Sequence, residues 1–374
     1  MKKLVAIIIF LHFVMGTNYA IAGEKDEYDI YEEIMKDSEI NQYINDMDEQ
    51  LALNGSKSVD EMTKELIGNE DYGFTGFFGD LIENIKIDLD DYKELILELL
   101  LVGFSAALFT LVTMAFSKNN IGEYGFYAAY CVLFGVVLSA FISASQLGIV
   151  LIKNVVTFMK VVAPAFAMAV VCSGKSTYGA GVGQLLLIMC AIVGLIFVNL
   201  LVKGIKFYLV LGMANSMLSA DKFSHLSDMI GKAVGWLMRT VFVFFCGLSI
   251  LQKMFWPAFD SIKNTVVLKT VSVVPVVGTT MNAAGQTVLG AFMVLKGSIG
   301  TLAVLFLVSI SIIPVVKVFI YYVVFNVVAI IIQPVCDKRF IESMKIAARA
   351  MGLLTCLMLV VVGLFIITLA IATG

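Results

Sequence analysis

Ser173-Gly174-Lys175-Ser176-Thr177 is the stretch of this chain that comes nearest to a phosphate-binding loop. In such a loop, backbone N–H groups and a lysine cradle phosphate oxygens, and a further glycine stands five residues before the second one. Here that position is Ala169, and no buried strand precedes it. The segment therefore reads as a polar turn between apolar runs, not as a nucleotide site. No Ser-His-Asp set, paired intramembrane carboxylates or dinucleotide fingerprint occurs. The only histidines are His12 and His225, and the six cysteines (Cys131, Cys172, Cys190, Cys246, Cys336 and Cys356) have no CxxC spacing. Metal ligands must cluster, so the cysteines read as small buried hydrophobes. No enzyme, no metal and no cofactor is expected.

Isolated charges inside apolar runs are the other chemically informative residues. Lys153, Lys160, Arg239 and Lys317 lie nearest to membrane depth, where a charge is costly and either lines a cavity or reaches to the interface. Lys153 and Lys317 read as interfacial. Lys160, with Pro164 one turn later, reads as a functional charge. Glu94 and Glu98 mark the mouth of the first apolar run. Gly179 and Gly183 form a GxxxG, which lets two membrane helices approach closely, within one bundle or between copies. Val271 to Gly297 mixes apolar residues with Pro275, Gly278, Asn282, Gly285, Gln286 and Gly290. That composition fits an interfacial helix or a re-entrant piece shielded from lipid. Gln333-Pro334 reads as a helix stop. Lys160, Pro164, Asn282, Gln286, Gln333 and Pro334 are thus the conduit or gating candidates.

The elements that must position these residues are membrane helices. The chain of 374 residues is 60% hydrophobic and 15% charged, with a mean hydropathy of +0.93, against about 25% charged for an ordinary globular domain. Ser298 to Ile332 holds two apolar blocks separated by Lys317. Each is close to the ~20 residues that cross a bilayer, and the pair reads as a transmembrane hairpin. The same reasoning puts spans near 95–117, 125–151, 155–174, 180–202, 233–256, 298–316, 318–336 and 348–373. The expected fold is all-α, a polytopic bundle of about eight spans. Phe207 to Leu218 is apolar but too short to span. Weighing the basic residues by side puts Lys118, Lys175, Lys253, Lys263, Lys269, Lys296, Lys338, Arg339, Lys345 and Arg349 inside. Lys153, Lys203, Lys206, Lys222, Lys232 and Lys317 then face out.

In front of the bundle, Lys2 and Lys3, the apolar Leu4 to Val14 and Ala20-Ile21-Ala22 make a secretory signal over residues 1–22. Residues 23–93 form an acidic, extracytoplasmic helical region: 22 of the 29 acidic residues fall between Gly23 and Leu95. Ile40, Tyr43, Ile44, Met47 and Leu51 keep helical spacing, as do Phe78, Leu81, Ile82, Ile85 and Leu89. These stripes serve a small helical hairpin or docking to partner helices or the membrane face. The acid excess argues against nucleic acid as a partner. Residues 94–374 form the membrane domain.

The ordered features resemble the stage III sporulation protein AE family of endospore-forming bacteria. A signal, an acidic helical region and GFFGDLIENI lead into the first span. VVAPAFAMAVVCSG, VVPVVGTTMNAAGQTVLGAFMVLKGSIGTLAVLFL and FNVVAIIIQPVCD follow. The likeness is densest from Val274 to Asp337. It implies a channel component in the mother-cell membrane around the forespore. Implied partners are other stage III sporulation membrane proteins, ring-forming subunits and a cytosolic secretion-type ATPase, beside the lipid bilayer itself. It carries no catalytic residues with it. The rivals are a self-contained multi-pass transporter, which would place ligands on broken midplane helices, and a scaffold with no pore.

Overall fold

Reversals of direction, more than helix formation, set the shape of this molecule. The computed structural model describes residues 89–115, 121–217, 223–271 and 277–373. The expected signal at 1–22 and nearly all of the acidic region at 23–93 lie outside the described residues. Every described element is helical, and no strand occurs among them. In chain order they are α1 (Leu89–Ala115), α2 (Ile121–Cys172), α3 (Ser176–Ile192), a π-helical segment (Val193–Leu201), α4 (Val202–Met217), α5 (Ser224–Val271), α6 (Val277–Ile332) and α7 (Lys338–Thr373).

Five of these runs are long and apolar enough to cross a membrane among the described residues: Tyr124–Cys172, Ser176–Met217, Ser224–Trp256, Ile299–Ile332 and Lys338–Thr373. The expected count of about eight spans is not confirmed. The spans read separately at 125–151 and 155–174 are one helix, α2. The hairpin read on either side of Lys317 is one helix, α6. At about 1.5 Å per residue, the 52 residues of α2 run about 78 Å, more than twice the ~30 Å hydrocarbon core. Apolar length alone therefore overcounts crossings. Asn154, a residue type common in turns, lies with Lys153 inside continuous helix, as do Lys317, Pro164 and Pro314. A proline removes one hydrogen bond of the ladder without reversing the chain.

Two other readings change for the same reason. Phe207 to Met217 belongs to α4, which continues α3 through the π segment as one 42-residue run. In that segment the N–H groups bond five residues back, and Val193, Phe197 and Leu201 keep facing the core. Residues 277–297 are ordinary helix, continuous with α6, so no re-entrant break occurs there. Residues 272–276 lie outside the described set.

True reversals occur where the local chemistry demands them. At 173–175, Gly174 takes φ 87°, a left-handed conformation open to glycine. At Gln333–Asp337, α6 stops at Ile332 as Gln333-Pro334 predicts, and Asp337 caps α7 by accepting the Arg339 N–H at 2.9 Å. α2 and α3 form one antiparallel pair, and α6 and α7 another. α5 runs back along the α3–α4 rod: Trp256 lies at Gly181, Val234 at Gly204 and Tyr208 at Gly231.

α7 is the centre of the bundle. Its Leu354, Leu357, Met358, Val361, Leu364, Phe365 and Leu369 are fully buried, against α6, α4, α5 and α2. In lipid the hydrophobic effect does not drive helices together, so close shape fit and polar bonds must. The glycines show that fit. A Cβ at Gly179 would lie 2.7 Å from Val171 Cγ2 and 2.9 Å from the Ala167 carbonyl oxygen; one at Gly183 would lie 2.8 Å from Ala167 Cβ. The GxxxG thus packs α3 on α2 within one bundle.

Candidate functional site

The bundle has two chemically different ends and a groove on its flank. One end carries the α6–α7 turn. There Tyr130 Oη donates to the Met213 carbonyl at 2.6 Å and lies 2.6 Å from Ser343 Oγ, joining α2, α4 and α7. The Arg339 guanidinium sits 3.7 Å above the Phe126 ring, with Asp337 Oδ1 3.4 Å from its Nε. Phe340 meets Phe126 and Tyr130 edge-on, at 5.2 and 5.6 Å. A buried hydroxyl costs free energy unless bonded, and a cation over a ring is favoured once water is excluded. The cluster therefore fastens three helix ends. Asn215 and Arg349 lie at the same end: the Asn215 side chain accepts the Phe223 N–H at 2.8 Å, and Arg349 stands 3.8 Å from Asp228.

The opposite end carries the α2–α3 turn, with Lys175 in it, Lys253 on α5 and Lys296 on α6. Gln252 Nε2 donates to the Gly181 carbonyl at 3.3 Å, tying α5 to α3. Lys296 is 7% exposed. The structure therefore separates two basic groups that the expected topology put on one side. Lys175, Lys253 and Lys296 are at one end; Lys338, Arg339, Lys345 and Arg349 are at the other. The cause is the unbroken course of α2 and α6, each of which removes one expected reversal.

The groove lies between α1, α2 and α6. It encloses about 360 Å³ and is lined by Leu95, Glu98, Gly135, Ser139, Ser143 and Tyr321 among others. Glu98, which reads from sequence as a boundary marker, is thus one carboxylate beside two serine hydroxyls and a phenol on the flank of the bundle.

The residues singled out from sequence do not converge. Lys160 and Pro164 are exposed on the outer face of α2, towards the Lys175 end. Gln333 and Pro334 are exposed in the turn at the other end. Asn282 and Gln286 stand on helical backbone, and their side chains lie outside what the structure describes. Lys153 is exposed and Lys317 half-buried. Of the cysteines, Cys190 alone is fully buried; Cys131 and Cys356 are exposed, which corrects the reading of all six as buried. Among the described residues no group of three or more His, Cys, Asp or Glu could hold a metal. The Tyr130–Ser343 pair and the buried Lys296 are what the linear reading left without a role. Tyr130 and Ser343 are 213 positions apart, and nothing local announces their meeting.

The described bundle has the long apolar helices of a membrane protein. A family model for stage III sporulation protein AE matches residues 57–374. The chain belongs to that family. It is similar to the stage III sporulation protein AE of Bacillus subtilis (strain 168), 22% identical over 253 residues, which are 67% of this chain and 63% of the relative. The match thus covers less than two thirds of that relative's length. No solved structure matches. Family membership agrees with the resemblance read from Val274 to Asp337 and with the long apolar helices. The family name carries sporulation and says nothing of catalysis.

Proposed function

We propose that this protein is a membrane-embedded subunit of a sporulation-specific transenvelope complex, in the mother-cell membrane that surrounds the forespore. In this reading it is the platform or export gate on which other stage III sporulation membrane proteins, ring-forming subunits and a cytosolic secretion-type ATPase assemble. The observation that carries the reading is family membership over residues 57–374 in a chain with five apolar helices long enough to span. The centre of the bundle is filled by α7, whose core residues are fully buried. A conduit is therefore better built between copies or with partners than through one copy.

The placement of charge suggests an orientation. The α6–α7 end, with Lys338, Arg339, Lys345 and Arg349, faces the mother-cell cytoplasm under the positive-inside rule. The second half of α1 lies at that same end, since Gly103 packs against Ile332 and Cys336. A chain entering α1 from outside reaches the cytoplasmic end there, consistent with an exported acidic region.

The test is depletion in an endospore-forming host, with a tagged copy used to recover bound proteins after crosslinking. Arrest after engulfment, with sporulation membrane proteins and a secretion-type ATPase recovered, is the expected result. Normal spores on depletion would refute the role. Solute uptake by vesicles holding this protein alone would favour a self-contained transporter.

A further inference from the structure

The α2–α3 turn, the stretch nearest in type to a phosphate-binding loop, is left unused by the proposed function. The fold gathers three cations around it from three elements. Lys253 is placed by its neighbour Gln252, bonded to the Gly181 carbonyl, and by Trp256, whose indole nitrogen would lie 3.3 Å from a Cβ at Gly181. Lys296 is placed by Gly300, one turn later, where a Cβ would lie 3.3 Å from Phe166 near the end of α2. Lys175 is in the turn itself.

Lys296 is 7% exposed, and among the described residues no acceptor or carboxylate pairs with it. The charges that act on it are Lys175 and Lys253. Burial first, and then these two neighbours, push its ammonium down to about 8. A buried cation needs a counter-charge, and two further cations beside it make the demand larger. The first turn of α3 has no acidic residue and no side-chain cap, so the helix dipole adds positive potential to the same place. Met254, Phe255 and Met293, within three residues of Lys253 or Lys296, are large apolar side chains exposed at the surface, so apolar surface adjoins the cations as it would beside the headgroup of a bound lipid.

We propose that this end of the bundle is a phosphate-diester site for the headgroup of an anionic phospholipid, held by Lys175, Lys253 and Lys296 and the N-terminal turn of α3. The phosphate oxygens replace the missing counter-charge. Neither the glycerol nor the acyl chains need specific recognition, because apolar helix surface flanks the site. The site does not depend on the proposed role in sporulation.

Native mass spectrometry of the full-length protein in detergent tests it. The probes are phosphatidylglycerol, phosphatidylcholine and inorganic phosphate, each added alone. Phosphatidylglycerol is expected to stay bound where phosphatidylcholine does not. Lys296→Met is expected to cut its occupancy about tenfold, the loss of one charge-assisted bond. Lys175→Gln, in the turn and outside the core, provides the same reading should Lys296→Met disturb the fold; its expected effect is smaller and in the same direction. Retention of inorganic phosphate with no retention of phosphatidylglycerol would overturn the lipid assignment and leave a soluble phosphate ligand. Equal retention of both lipids, or unchanged phosphatidylglycerol binding in both variants, would overturn the site.

Discussion

The two described reversals between membrane runs solve the same problem by different physics. At 173–175 the chain turns through a left-handed glycine, and α3 returns so close to α2 that Gly179 and Gly183 leave no room for a Cβ. That end is held chiefly by shape, with one bond from Gln252 to the Gly181 carbonyl, and it gathers unpaired positive charge. At 333–337 the chain turns at Gln333-Pro334. That end is held by bonds: Tyr130 to Met213 and Ser343, Arg339 to Asp337 and over Phe126. The contrast teaches how helices find each other where the hydrophobic effect is silent. Either backbones approach closely along small residues or polar groups find partners across the gap.

The largest effect tests whether these really are opposite ends. In a background with all six cysteines changed to serine, Lys175→Cys and Lys338→Cys should label from opposite sides of the membrane. Labelling of both from one side would mean that α2 or α6 reverses after all, and the comparison would fail. Next is the shape-held end. Gly179→Ala should destabilise by about 3 kcal/mol, because its Cβ meets backbone that cannot move aside. Gly235→Ala, which meets nothing within 4 Å, should be neutral or slightly stabilising by thermal unfolding in detergent. Equal effects would remove close approach as the cause.

At the bond-held end, Tyr130→Phe should cost about 1.5 kcal/mol, because the Met213 carbonyl and the Ser343 hydroxyl lose a partner away from water. Adding Ser343→Ala should cost little more, since the pair acts as a unit; additive losses in the double-mutant cycle would separate them. Asp337→Ala should cost about 1 kcal/mol through the lost cap of α7. The smallest loss is expected at Gly300. There a Cβ would meet the Thr373 side chain, which can rotate away, so Gly300→Ala should stay below about 1 kcal/mol. A loss as large as that at Gly179 would show that close approach matters along α6–α7 as well.

Much of this was legible in the chain. The apolar runs and the helix stop at Gln333-Pro334 depend on local residue types, whereas Lys153 and Lys317, read as interfacial at span ends, lie inside the continuous helices α2 and α6. The GxxxG was visible, but whether it served packing within the bundle or between copies was not; Ala167 and Val171 decided that. The expected division at 152–154 and at Lys317 was not met, because two short spans and one long helix have the same composition. Only the continuous helices α2 and α6 in the fold tell them apart. The candidate residues failed to converge for a related reason. Lys160 and Pro164 belong to one end and Gln333 and Pro334 to the other, and helix periodicity does not say which ends coincide.

By itself, the amino-acid order determined that the described chain would be helical, apolar and bound for a membrane, because each residue's fit to helix and lipid is a local property. The folded bundle alone decided how many times it turns back, which lysines share an end and which tyrosine meets which serine. Those are relations between residues tens to hundreds of positions apart, and only packing in three dimensions assigns their energies.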